Sequence, residues 1–249
     1  MQAVPNVVRE HWPEYLMEAA GLGLFMISAA VVTTLLEYPH SPLHGLFADQ
    51  AIRRLMIGLA MGATAIGLIY SPWGKRSGAH LNPAVTLTFY RLGKIGGIDA
   101  CSYVMAQFFG GALGLWLVSR AIGKAVEHPA VNYVVTTPGP AGSGTAFVAE
   151  ALISFGLMLV VLMVSNTKSL NAWTGCVAGA LVAAYIAIEA PLSGMSMNPA
   201  RSFASALPAH LWTAFWIYLT APLIGMLLAA EAYVRVHGAH RVLCAKLHH

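Results

Sequence analysis

Charge is scarce in this chain. Only 10% of its 249 residues are Asp, Glu, Lys or Arg, against 57% that are hydrophobic. A soluble domain carries about 25% charged residues and uses them to cover its surface. The mean hydropathy of +0.66 points the same way. The shortage excludes an ordinary soluble enzyme, and so much apolar sequence excludes a disordered chain. Cysteine is also scarce: Cys101, Cys176 and Cys244 are an odd number without CxxC spacing. Neither a disulfide framework nor a zinc site follows, and they read as small buried hydrophobes. The acids and histidines, including His237, His240, His248 and His249, fall mostly in loops and tails with no catalytic spacing. No metal, cofactor or enzymatic activity is expected, and the formal net charge of +4 is too small to suggest nucleic acid.

What is present is six long apolar runs, roughly Tyr15–Leu36, Ile52–Tyr70, Ile98–Ser119, Gly144–Ser165, Ala172–Ile188 and Leu211–Val234. Each is long enough to cross a bilayer, which takes about 20 residues as a helix. None alternates as the strands of a membrane barrel would, and a helix satisfies its own backbone hydrogen bonds in lipid. The first run follows a mixed-charge head with Arg9, Glu10 and Glu14 and lacks a small-residue cleavage site, so it reads as a span and not a removable leader. Between the runs, Arg9, Lys75, Arg76, Arg91, Lys94, Lys168, Arg235, Arg241 and Lys246 fall on one side, and Arg53, Arg54, Arg120 and Lys124 on the other. The cationic excess places both termini in the cytoplasm, in the cell (inner) membrane. Val131–Ser143, rich in Pro and Gly, reads as a loose connection at mid-chain.

The most informative feature is a repeat. Ser77-Gly78-Ala79-His80-Leu81-Asn82-Pro83-Ala84 matches Ser193-Gly194-Met195-Ser196-Met197-Asn198-Pro199-Ala200, so Asn198 follows Asn82 by 116 residues. Gln107 and Gly110 answer Pro222 and Gly225 at an offset of 115, and Glu18-Ala19 answers Glu150-Ala151 at 132. Each half thus holds three spans. An odd number makes the halves, about 1–130 and 144–249 of one membrane domain 1–249, cross in opposite senses.

Asparagine is a favoured N-cap and proline a favoured first helical residue. Each motif therefore starts a helix too short to span, about Asn82–Arg91 and Asn198–Leu207. Non-helical backbone at membrane depth survives only inside protein or beside water. Two re-entrant half-helices should meet near the midplane with Asn82 and Asn198 side by side and their positive dipole ends aimed at one spot. Such a spot attracts the oxygen of a neutral polar molecule and repels cations. An oxygen accepting from both asparagines is turned so that it cannot pass a proton along a file. Arg201, directly after the second motif, is an expensive charge at membrane depth and marks a functional position. A structural pairing with a carbonyl or with Glu189 is the alternative.

With these motifs, Ala106-Gln107 and Gly110 in the third span and Ala221-Pro222 and Gly225 in the sixth, the chain resembles the aquaporin, or major intrinsic protein, family. The resemblance covers the chain from first span to last. It implies six transmembrane helices plus two half-helices, one pore per subunit and a homotetramer. It assigns Asn82, Pro83, Ala84, Asn198, Pro199 and Ala200 to the pore motifs, and Arg201 to an outer selectivity constriction. Met195 lies three residues before Asn198 and Ile186 twelve before it. Spacing gives Gly62 for the span-two position, whereas matching Ala60-Met61-Gly62 to the family pattern gives Met61, which is favoured. Carbonyls of Ala79, His80, Leu81, Gly194, Met195 and Ser196 line the passage by the same analogy, and Glu18 and Glu150 hold the loops. Strict water channels of the family place an aromatic in span two and a histidine in span five. Met61 and Ile186 depart from this, which opens glycerol, urea and ammonia beside water. Ser202-Phe203 after Arg201 and Phe215-Trp216 resemble the water branch. Inverted repeats with broken helices also mark ion-coupled transporters, but the expected midplane holds asparagines where coupling would need titratable groups.

Overall fold

The computed structural model describes residues 4–243; Cys244, Lys246, His248 and His249 lie outside the described residues. Eight helices organise it: α1 Val4–Glu37, α2 Gln50–Tyr70, α3 Pro83–Arg91, α4 Gly97–Ile122, α5 Gly142–Ser165, α6 Thr174–Ser193, α7 Pro199–Ala209 and α8 Phe215–His237. Among the described residues, six helices are long and apolar enough to cross a membrane, α3 and α7 are short, and no strand occurs. Leucines such as Leu16, Leu59, Leu152 and Leu228 cover the outside. All six tryptophans are exposed, as suits side chains that sit where bilayer meets water. The chain is a multi-pass membrane protein.

Small residues decide which helices touch. α1 packs along α4, α5 along α8, and α2 along α6. A Cβ on Gly110 of α4 would overlap the backbone of Ala19 in α1, and one on Gly225 of α8 the carbonyl of Ala151 in α5. Without side chains there the backbones approach closely enough for dispersion to hold them in lipid, where no hydrophobic drive between helices exists. The half-helices pack crosswise: α7 rests mainly on α4, and α3 on both α8 and α4.

Three boundaries differ from the sequence expectation. α1 begins eleven residues early, because its polar head is tied down: Tyr15 Oη donates to Asp99 (2.6 Å), His11 Nδ1 lies 2.8 Å from the same carboxylate, and Arg76 pairs with Glu14. α8 begins at Phe215 because Ala214 is left-handed (φ 54°). The connection at 131–143 is not loose. Gly139 N donates to Leu192 O (2.9 Å), the Thr136 and Ser202 hydroxyls lie 2.8 Å apart, and a short helical turn spans Asn132–Val134.

Gly110→Ala forces α1 and α4 apart and is expected to cost about 1–3 kcal/mol of stability. Gly67→Ala, where a Cβ meets nothing within 4 Å, is expected to cost nothing. Thermal unfolding of the two variants in detergent checks the contrast.

Candidate functional site: two capped half-helices at one cavity

The loops leading into α3 and α7 share an uncommon backbone. Ala79, Leu81, Met195 and Met197 all have positive φ, from 47° to 54°, as do Gly78 and Gly194. A left-handed non-glycine residue costs about 1–2 kcal/mol, so something must hold these loops. The holder is a buried carboxylate in each half. Glu18 of α1 accepts from Ser77 Oγ (2.7 Å), His80 N (3.0 Å), Leu81 N (2.6 Å) and Gln107 Nε2 (2.8 Å). Glu150 of α5 accepts from Ser193 Oγ (2.7 Å), Ser196 N (2.7 Å) and Met197 N (2.8 Å). The left-handed residues turn consecutive N–H groups to one side, forming an anion nest.

The nest fixes the opposite side too. In a trans peptide the N–H and the preceding carbonyl point opposite ways. The N–H groups of His80, Leu81, Ser196 and Met197 aim at carboxylates, so the carbonyls of Ala79, His80, Met195 and Ser196 aim away from them. Met195 N aims at Ser193 Oγ (3.1 Å), which turns the Gly194 carbonyl likewise. All five residues line one cavity of about 600 Å³.

Asn82 and Asn198 cap α3 and α7. The Asn82 side-chain oxygen accepts from Ala84 N (2.8 Å), and that of Asn198 from Ala200 N (3.0 Å) and Arg201 N (3.1 Å). Pro83 and Pro199 take the first helical position, and Ala84 and Ala200 are fully buried behind them. The amide nitrogens cross over. Asn82 Nδ2 donates to Met197 O and Asn198 Nδ2 to Leu81 O, both at 2.7 Å. The Leu81 carbonyl accepts this one bond, and Leu81 lines the cavity. An amide NH2 has two protons. One proton of each asparagine is spent on the opposite loop, and the second remains for a guest. Both asparagines line the cavity, with two helix N-termini behind them.

Met61, Ile186, Met195 and Arg201 line the cavity as well. Gly62 does not; it faces the Gly179 carbonyl in the α2–α6 contact. Ile186 and Val182 pack against both the core cluster that holds Met61 and the one that holds Met195. Arg201 Nη1 is buried without a hydrogen-bond partner, and no ion pair joins Arg201 to another described residue. Glu189 is not its partner. That carboxylate is buried, makes no hydrogen bond, and faces a separate groove between α5 and α6. The His80 ring stacks on Phe89 (5.1 Å) and its Nδ1 lies 3.1 Å from Thr86 Oγ1.

Sequence reasoning missed a second pair of braces. Tyr103 Oη donates to Ser77 O (2.7 Å) and Tyr218 Oη to Ser193 O (2.5 Å). The signal was available: the two tyrosines stand 115 residues apart, the same offset as Gln107 and Pro222.

Comparison with known proteins gives the family. The family model "Major intrinsic protein" matches residues 7–233. The chain belongs to the major intrinsic protein family. Members of this family are membrane channels and not enzymes. A curated relative, aquaporin NIP6-1 of Arabidopsis thaliana, is 37% identical over 183 residues, 73% of this chain. The match spans only 58% of that longer protein. Probable aquaporin AqpM of Archaeoglobus fulgidus is 36% identical over 71% of this chain and 74% of its own. Among solved structures, the aquaglyceroporin from Plasmodium falciparum shares the fold, with a TM-score of 0.75 over 91% of this chain and 96% of its own at 22% identity.

Glu150→Leu leaves three buried donors unpaired at about 1–3 kcal/mol each and is expected to abolish folded protein. Tyr218→Phe removes one bond and is expected to cost about 0.5–1.5 kcal/mol. Thermal unfolding and size-exclusion profiles in detergent measure both.

Proposed function

We propose that this channel conducts water in single file, passively and in both directions, while excluding protons and other cations. The observation that carries the reading is the crossed pair of asparagine bonds inside the cavity. Each amide is locked on one side and keeps one donor on the other. A water oxygen that accepts from both presents its hydrogens outward, toward the carbonyls of the two loops, and cannot relay a proton past that point. The dipoles of α3 and α7 and the charge of Arg201 raise the cost of a cation in the same stretch. Pro83, Ala84, Pro199 and Ala200 set the capped ends, and Met61, Ile186, Met195 and Arg201 form the constriction. The two asparagines carry no titratable group, and the His80 ring nearby is engaged with Thr86 and Phe89, which supports transport uncoupled from an ion gradient.

A second reading has its own support. Met61, Ile186 and Met195 make three walls of the constriction apolar, and a carbon-bearing solute loses less there than at a polar wall. Glycerol, urea or ammonia would then pass as well. The halves 1–130 and 144–249 cross the membrane in opposite senses in this reading, with both termini in the cytoplasm, and the chain assembles as a homotetramer in the cell membrane.

Stopped-flow light scattering on proteoliposomes tests both. A sucrose gradient is expected to shrink them faster than empty vesicles; equal rates would defeat the channel reading. A glycerol gradient followed by fast re-swelling would assign the broader solute range. Arg201→Val is expected to keep water flow and raise the proton or cation leak, read with a pH-sensitive dye trapped in the vesicles. An unchanged leak would count against the role given to Arg201.

A further inference from the structure

The cavity wall carries an unusual amount of sulfur. Of the eleven methionines, five line it: Met61 from α2, Met158 from α5, Met195 and Met197 from the second loop, and Met226 from α8. Most of these thioethers are closed off from solvent, at 0% to 3% exposure, but Met195 is 6% exposed and sits on a loop held in a left-handed conformation. A thioether is apolar and flexible, which suits a smooth wall. Its sulfoxide is polar, chiral and a strong hydrogen-bond acceptor. Arg201 lines the same cavity, and its Nη1, closed off from solvent, has no hydrogen-bond partner.

We propose that Met195, with Met61 lining the same cavity, is a peroxide-modification site that closes the passage. The inference rests on the water-channel reading, because the oxidant must reach the sulfur along the file that water uses. Hydrogen peroxide is the co-reactant: it is small, neutral and hydrogen-bonds as water does. Its O–O bond breaks, one oxygen forms the S=O bond, and the other leaves as water after taking up the proton. The sulfur loses two electrons and the peroxide gains them. The new oxygen projects from an apolar wall into the water file and, once the guanidinium turns toward it, offers Arg201 an acceptor. A charge-assisted bond of that kind immobilises both side chains across the constriction. Repair needs a sulfoxide reductase and a thiol reductant, so the change is reversible in principle.

The test treats wild-type proteoliposomes with hydrogen peroxide, removes it, and reads water permeability and methionine sulfoxide by peptide mass spectrometry on the same sample. Permeability is expected to fall about tenfold, equivalent to about 1.4 kcal/mol of added barrier. Met195 sulfoxide should accumulate well before that of Met26, which is fully buried in α1 and does not line the cavity. Detergent-solubilised treated protein, incubated with a sulfoxide reductase and dithiothreitol and reconstituted again, should recover its flow. Met195→Leu and Met61→Leu, each compared with its own untreated rate, should lose less than wild type. Flow that is present and stays unchanged once Met195 is oxidised overturns this inference alone. Oxidation of Met26 as fast as Met195, or an equal loss in Met195→Leu, overturns it too. Vesicles that never exceed empty ones before treatment overturn the channel reading and this inference with it.

Discussion

The architecture depends on two carboxylates buried where lipid-facing helices would ordinarily carry leucine. Glu18 and Glu150 each gather backbone N–H groups from a loop that has no regular secondary structure of its own. Without them the left-handed residues have no reason to persist, and unpaired amides would lie at membrane depth. With them, the loops become rigid and their carbonyls face one cavity. The charge is costly to bury, but each oxygen accepts at least one hydrogen bond, the condition under which buried charge is tolerated. The loops and the adjoining half-helices bring both asparagines, Met195 and Arg201 to that cavity, and α2 and α6 add Met61 and Ile186.

Rigidity has a second source in the crossed asparagine bonds. Each half-helix is capped by its own asparagine and locked by the other loop. The donors left over are therefore fixed in direction before any guest arrives. Fixed dipoles pay no reorganisation cost when a polar molecule binds beside them.

Six spans and two half-helix starts were legible from the sequence because they rest on strong local signals. Apolar length sets the first, and Asn before Pro sets the second by joining a preferred cap to a preferred first residue. The ends of the spans were less legible. α1 extends to Val4 because Asp99, 84 residues away from Tyr15, draws its polar head into place, and no local pattern carries that. The choice between Met61 and Gly62 turned on counting through Ser71–Arg76. There a short helix, Pro72–Ser77, takes up residues, and Gly58 and Gly62 set the rotation of α2 by their contact with α6. The mid-chain connection looked loose because its Pro and Gly were visible and its bonds to Leu192 and Ser202 were not.

The crosswise seating of the half-helices reaches back to where such a chain could come from. Asn82 finds its carbonyl only in the second half, and Asn198 only in the first. A polypeptide holding one half alone would have no acceptor for its own cap. It could complete the arrangement only against a second copy turned end over end. On the proposed opposite senses of the two halves, an ancestor of that kind would have had to enter the membrane in both directions from one gene, and fusing two copies would have fixed each in its own sense.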